Sequence, residues 1–403
     1  MITIAVPAEA EWIIGKIREQ GFEAYAVGGC VRDSILGREP EDWDITTSAR
    51  PEQVKAIFPK TLDTGLKHGT VTVMKNHCGY EVTTYRIDGE YRDGRHPDSV
   101  EFTASLTEDL KRRDFTINAM AYSRDTGLVD EFGGIDDLNA RVIRCVGRPE
   151  DRFTEDALRI LRAVRFAAQL DFSIEEDTFA AVCALAPNLH KVSRERVQAE
   201  LTKLLLSAHP EKIAMTAETG IDQFVAPGFE KVFETGTDVS GLSALPAEKS
   251  MRWAGLLRNL SARDAARVLK GLKMDNETTD NVRAMVGEAA LFLPPEKEKI
   301  RQALSRVTEY QFEGALALKA MDGDHSVDEI RRLWREIQAD GDCVRIKDLA
   351  VSGADLIQDG MKPGKEMGEI LKGLLEAVLS DPSLNKKEIL LKKARMLAKT
   401  SER

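Results

Sequence analysis

The chain has 403 residues, 42% of them hydrophobic and 31% charged, with a net charge of −10, so it can bury several cores and is too acidic to coat polyanions indiscriminately. Its five cysteines, Cys30, Cys78, Cys145, Cys183 and Cys343, are scattered without paired spacing, which excludes a disulfide framework and a zinc site and predicts free thiols. With no signal peptide and no apolar run long enough to span a bilayer, the expected location is the cytoplasm.

Residues 8–20 carry Ile13, Ile14 and Ile17 at helical spacing and are closed by Gly21, which predicts a helix leading into a strand. The stretch from Ala24 to Thr47, AYAVGGCVRDSILGREPEDWDITT, begins with that apolar run. Gly28 and Gly29 allow a tight turn and close approach to a phosphate. A helix over 30–36 would offer free N–H groups and the Arg32 guanidinium. Gly37 stops it, and an extended run places Asp42 and Asp44 two residues apart, on one face of a strand. Alone, an Asp-x-Asp pair is an ordinary turn or solvated strand end. Beside a phosphate cradle it suits two Mg²⁺ ions about 3.5 to 4 Å apart, the protein half of two-metal phosphoryl transfer.

Thr47 or Ser48 is expected to cap a helix over 52–58 that ends at Pro59. Strands are predicted over 69–74 and 80–86, joined by the turn Asn76-His77-Cys78-Gly79. If this hairpin lies beside the aspartate strand, Glu81 is a third carboxylate at the metal site; otherwise it is a solvated edge residue. Residues 88–99, DGEYRDGRHPDS, read as a polar, mobile lid. In KRRDFTINAMAY, from Lys111, a helix capped by Asp114 would put Asp114 and Asn118 on one face, where they can hydrogen-bond a ribose. Residues 128–146 are predicted as strand, turn and strand around Gly133-Gly134, closing an α/β head.

From Asp151 the chain is expected to be almost wholly helical. Asp156, Arg159, Arg162 and Arg165 recur every three residues, forming one polar stripe on a helix whose core side is Leu158, Leu161 and Phe166. Such a stripe is ordinarily a solvated face; directly after a nucleotide-binding head, three arginines favour something more specific. Ser193 precedes another helix, with Arg196 in reach of Glu200. Near the C-terminus Lys362 and Lys365 are expected to be exposed among short helices, and Lys386, Lys387, Lys392 and Lys393 form a basic helical face. That face suits backbone phosphates, although a solvated lysine face is the commoner case.

These segments together resemble the class II tRNA nucleotidyltransferases, the CCA-adding enzymes and their bacterial poly(A) polymerase relatives. The matching motifs are GGCVRD with DWD (28–44), RRDFTINAMAY (112–122), DEFGGIDDLNARVIRCVG (130–147), EDALRILRAVRF (155–166) and ERVQAELTKLLLS (195–207), so the likeness covers nearly the whole chain. It implies an α+β protein: a polymerase beta-like nucleotidyltransferase head with a mixed sheet (1–147), then an all-α neck (148–205), body (206–320) and tail (321–403). It also implies Asp42 and Asp44 as Mg²⁺ carboxylates helped by Glu81. Gly28, Gly29 and Arg32 would hold the triphosphate, and Arg113, Asp114 and Asn118 the sugar.

The resemblance makes Asp156 and Arg159 the protein's substitute for a template. A carboxylate only accepts and a guanidinium only donates, so the pair suits cytosine (N4 amino, N3) and adenine (N6 amino, N1). Uracil and guanine present the reverse order and leave polar groups unpaired, at about 1 to 3 kcal/mol each. The bland alternative is a plain i,i+3 salt bridge between Asp156 and Arg159. Arg162 would reach the triphosphate, and Arg165 would support the fold or the RNA. The expected activity is addition of C, C and A to tRNA from CTP and ATP, with the tail lysines gripping tRNA and no protein partner implied. An A-adding or CC-adding enzyme, a poly(A) polymerase and an inactive tRNA-binding module are the alternatives.

Overall fold

The computed structural model describes residues 2–89 and 100–401. The chain forms two compact units, Met1–Phe233 with Gly271–Lys273, and Glu234–Lys270 with Met274–Arg403. The expected lid lies mostly at 90–99, outside the described residues. Among the described residues no helix is long and apolar enough to cross a membrane, and all five cysteines are free.

The first unit is built on a seven-stranded mixed sheet. Its elements begin α1 (Ala8–Glu19), β1 (Ala24–Val27), α2 (Gly29–Ile35), β2 (Ile45–Thr47), α3 (Pro51–Ile57), β3 (Thr61–Gly65), β4 (Thr70–Lys75) and β5 (Cys78–Thr84). They continue with β6 (Arg86–Asp88), β7 (Val100–Phe102), α4 (Leu106–Lys111), β8 (Met120–Ser123) and β9 (Gly127–Asp130). The strand order is β3-β4-β5-β2-β1-β8-β9, with β2 and β5 parallel and the other neighbours antiparallel. All four residues of β1, Ala-Tyr-Ala-Val, are buried, as a central strand covered on both faces requires. The β4–β5 hairpin closes at Asn76 and His77, both with positive φ (49° and 66°), which matches the twist of a two-residue turn.

Asp42 and Asp44 precede β2 and do not lie within it. Residues 38–44 are irregular, with Pro40 and the acidic residues poorly suited to a strand interior. The Asp44 carbonyl nevertheless accepts from Val27 N at 3.0 Å, so the backbone is already held against β1 at that point. The cap expected at Thr47 or Ser48 falls on Arg50; the Thr47 hydroxyl donates to Glu23 O and accepts from Ala49 N, stitching the strand end instead.

Two further differences concern the segments after α4. Asp114 caps no long helix: residues Thr116–Asn118 form a single 3-10 turn before β8. The stretch expected as strand, turn and strand contains a helix, α5 (Gly134–Ala140), followed by β10 (Val142–Ile143). The Asp130 carboxylate accepts from Gly134 N and Ile135 N, both at 2.8 Å, and so satisfies the first donors of α5.

Helical elements then follow: α6 (Pro149–Glu155), α7 (Leu158–Leu170), the two-residue β11 (Ser173–Ile174), α8 (Glu176–Leu185) and α9 (Arg194–Leu205). β11 pairs in parallel with β10, binding these helices to the sheet-bearing part. The second unit has no strand among its described residues. Its longer helices include Lys249–Leu257, Asn276–Ala289, Glu309–Met321, Val327–Asp340, Lys365–Ser380 and Lys387–Ser401.

Candidate active site

A cleft of about 680 Å³ opens in the first unit where α2, the segment before β2, the turn before β8, α7 and α9 meet. Gly28 forms one end. Its φ of 82° favours glycine, and a Cβ there would lie 3.0 Å from Arg113 Nη1, so a larger residue would displace that guanidinium. The helix that follows is only seven residues long, and its first N–H groups have no intrahelical partner.

Arg32 lies 4% exposed and fully engaged: Nε and Nη2 donate to Asp33 at 2.9 and 2.7 Å, and Nη1 donates to Asn118 Oδ1 at 2.6 Å. It shares one aromatic ring with two arginines of α7. The guanidinium carbons of Arg32, Arg162 and Arg165 lie 5.0, 5.2 and 3.7 Å from the Phe166 centroid. Three like charges around one aromatic ring are tolerable because each has a carboxylate: Asp33, Asp114 and Glu200, at 2.7, 2.6 and 2.6 Å. The Arg196–Glu200 pair expected along α9 therefore does not form in that role, since Glu200 serves Arg165.

Asp114 is the centre of this network. Its Oδ1 accepts from Phe115 N and Asn118 Nδ2, and its Oδ2 from Arg162 Nε at 2.7 Å. Burial pushes this carboxyl up, but the Arg162 and Arg159 charges and the Asn118 amide more than reverse that, holding it well below the usual carboxylate range. Asp114 and Asn118 do face each other as expected, through a 3-10 turn in place of a helix, at 3.1 Å.

Asp42 and Asp44 line the same cleft. Parallel pairing of Ile45 with Val82 leaves Glu81 beside Asp44. Burial raises the Asp44 carboxyl pKa; Arg113 opposes this, and the charges of Glu81 and Asp42 add to it. Arg113 Nε is itself buried without a hydrogen-bond partner among the described residues. Among those residues no three histidine, cysteine or carboxylate groups converge at metal-ligand spacing. A repelling aspartate pair with a third carboxylate alongside still fits Mg²⁺, which takes one or two protein carboxylates and completes its shell with phosphates and water.

The arginine stripe is interrupted. Asp156 sits at the break between α6 and α7 with extended backbone (φ −137°, ψ 104°), and its Oδ1 accepts from Leu158 N at 3.0 Å, capping α7. It pairs with Arg196 at 2.7 Å, while Arg159 pairs with Glu155 at 2.5 Å, so the Asp156–Arg159 salt bridge is not made. Gly28, Gly29, Arg32, Asp42, Asp44, Arg113, Asp114, Asn118, Arg162 and Arg165 all line the cleft; Glu81, Asp156 and Arg159 do not. Asp156 and Arg159 stand close behind the wall, near enough for their charges to act on Arg162 and Asp114 respectively.

Phe166, Arg38, Gln169 and Lys203 also line the cleft, and the sequence gives no warning of it. Phe166 reads as core, and a single lysine on an amphipathic helix carries no signal. In the second unit Lys362, Lys365, Lys386 and Lys392 are exposed and Lys393 is half-buried, whereas Lys387 forms an ion pair with Asp355.

The family described as "Poly A polymerase head domain" matches residues 24–144, "Probable RNA and SrmB- binding site of polymerase A" matches 171–233, and "tRNA nucleotidyltransferase domain 2 putative" matches 246–394. The CCA-adding enzyme of Lactobacillus delbrueckii subsp. bulgaricus is 41% identical over 91% of this chain and 92% of its own. That of Ligilactobacillus salivarius is 39% identical over 96% and 95%. The crystal structure of the Bacillus stearothermophilus CCA-adding enzyme in complex with CTP superimposes with a TM-score of 0.82 at 35% identity, covering 98% of both chains. On this likeness and the architecture that accompanies it, the chain belongs to the CCA-adding enzymes, a family of nucleotidyltransferases.

Proposed function

We propose that this chain adds C, C and A in turn to the 3′ end of tRNA, using CTP and ATP and releasing pyrophosphate. The observation that carries the reading is the cleft itself. It joins a glycine turn, an aspartate pair, an orphaned Arg113 donor and three arginines gathered on Phe166. The terminal ribose hydroxyl attacks the α-phosphorus, and the bond from that phosphorus to the bridging oxygen of the β-phosphate breaks. Mg²⁺ held by Asp42 and Asp44, with Glu81 alongside, would activate the attacking oxygen and neutralise the leaving group.

The chain's own groups do the positioning. Gly28, Gly29, Arg32, Arg162 and Arg165 form a rigid, positively charged wall for the triphosphate, and Arg113 supplies a donor beside Asp44. Asp114 and Asn118 set the wall against which the sugar rests. Asp156 and Arg159, poised behind that wall, exchange their salt bridges to Arg196 and Glu155 for the amino group and ring nitrogen of cytosine or adenine.

The head (1–147), neck (148–205), body (206–320) and tail (321–403) divide the labour. The first two bind nucleotide, and the others track tRNA through shape and phosphate contacts, with Lys362, Lys365, Lys386, Lys392 and Lys393 available for the latter. The free thiols support a cytoplasmic setting.

The test offers the purified protein tRNA lacking CCA, tRNA ending in C and tRNA ending in CC, each with CTP, ATP or both. The reading expects CTP to extend the first two and ATP to complete the third. Extension only of the CC-ending tRNA would make this an A-adding enzyme, and extension that stops at CC a CC-adding one.

A further inference from the structure

One buried carboxylate outside the cleft lining has no part in the chemistry above. Asp109, near the end of α4, has no exposed surface, and both its oxygens are committed. Oδ2 accepts from Thr46 Oγ1 at 3.0 Å and lies 3.5 Å from Arg113 Nη2. Oδ1 accepts from Arg112 Nε and Nη2 at 3.0 and 2.7 Å. Thr46 lies on β2, two residues beyond Asp44. The last carbonyls of α4 in turn receive guanidiniums from the neighbouring helices. Arg159 Nη2 donates to Arg112 O at 2.9 Å and Arg152 Nη1 to Lys111 O at 3.1 Å, cations where the helix dipole favours them.

We propose that Asp109 is a positioning residue, the joint through which the strand behind the catalytic aspartates holds Arg113 over the cleft and anchors Arg159 for base selection. The proposal rests on the roles given above to Asp44, Arg113 and Arg159, and adds what keeps them in register. A buried ion cluster is weak evidence for stability, because well-packed apolar residues of like volume stabilise a fold as well. What apolar packing does not supply is direction. Two fixed acceptor oxygens orient one hydroxyl and two guanidiniums at once, and a shift at Asp109 moves Arg113 and the carbonyl under Arg159 together.

The test measures single-C addition to tRNA lacking CCA by the full-length Asp109→Asn protein, with CTP and separately with UTP, beside a thermal melt. The neutral amide would remove the charge that Asp109 offers to Arg112 and Arg113. The expected result is a kcat for CTP lowered about a hundred-fold with KM within about three-fold, because misplacing groups that act in the transition state spares ground-state binding. The ratio of UTP to CTP efficiency should rise about ten-fold as Arg159 loses one of the contacts that aim it. A lower melting temperature with wild-type kcat, KM and UTP:CTP ratio in the folded protein would overturn the proposal. Should Asp109→Asn not fold, Thr46→Val removes the hydroxyl that ties Asp109 to β2, along with its longer 3.3 Å bond to Thr83 O. It should lower kcat about ten-fold with melting almost unchanged, and wild-type kinetics for it would overturn the proposal equally. If the wild-type protein adds no C at all, the functional reading fails first and this inference with it. Normal wild-type addition with unaltered variants defeats the inference alone.

Discussion

Asp114 shows how much of the cleft is fixed before any nucleotide arrives. With both oxygens occupied by Phe115, Asn118 and Arg162, it acts as a keystone for the wall. Its carboxyl is held below the ordinary range, so the stability it contributes is complete above the unfolded carboxylate value near 3.9 and is lost as pH falls through the lower folded value. Asp114→Asn should therefore lower the melting temperature more at pH 7 than at pH 3. The cost at pH 7 should be about 2 kcal/mol, less than for a fully buried pair because the Arg162 side chain is 32% exposed. Thermal melts at the two pH values check this; an equal loss at both would contradict it. Asp44→Asn should abolish nucleotide addition by about a thousand-fold or more with little loss of stability, read by primer extension and melting. The type of chemistry was legible from Gly28, Asp42 and Asp44 because an aspartate pair that is ordinary by itself stands here beside a glycine turn suited to a phosphate. The partners of Arg32, Arg162 and Arg165 were not, because Asn118, Asp114 and Glu200 come from other segments of the chain.

The break between α6 and α7 holds Asp156, one of the two residues proposed to select the base. The three-residue spacing predicts an unbroken helix, since no glycine or proline marks an interruption between Phe153 and Leu158. The stop is made by Asp156 itself, which caps α7, and by Arg196, which reaches it from forty positions along the chain. Cap and selector can be separated. Asp156→Asn keeps an oxygen for Leu158 N, whereas Asp156→Ala loses it and should cost about 1 kcal/mol more in a denaturation midpoint. Both should let UTP compete with CTP, and unchanged selectivity in both would sink the selector role. The β4–β5 turn offers a control far from selection. His77 holds φ 66°, where glycine is favoured, so His77→Gly should stabilise the protein by about 1 kcal/mol in thermal or urea unfolding and leave addition rates unaltered.

For the molecule as a whole, composition already separated a sheet-bearing N-terminal part from a helical remainder. The first compact unit nevertheless runs to Phe233, because the β10–β11 pair and the Arg162–Asp114 bridge bind residues beyond 147 to the sheet-bearing segment before it. Such pairings join short strands and charged groups with no local periodicity, and so left no trace in the sequence. With a net charge of −10, tRNA affinity has to come from local cations. Replacing Lys362, Lys365, Lys386, Lys392 and Lys393 with Gln should raise KM for tRNA and flatten its dependence on salt, by about 0.7 to 0.9 in the logarithmic slope for each phosphate no longer neutralised, while kcat at saturating tRNA holds. An unchanged slope would place tRNA elsewhere. If protein side chains alone choose C and A, tRNA lacking CCA incubated with all four nucleoside triphosphates at equal concentration should give, on sequencing, ends that read C, CC or CCA and stop there. Ends carrying U or G in those positions would show that Asp156 and Arg159 do not select the base.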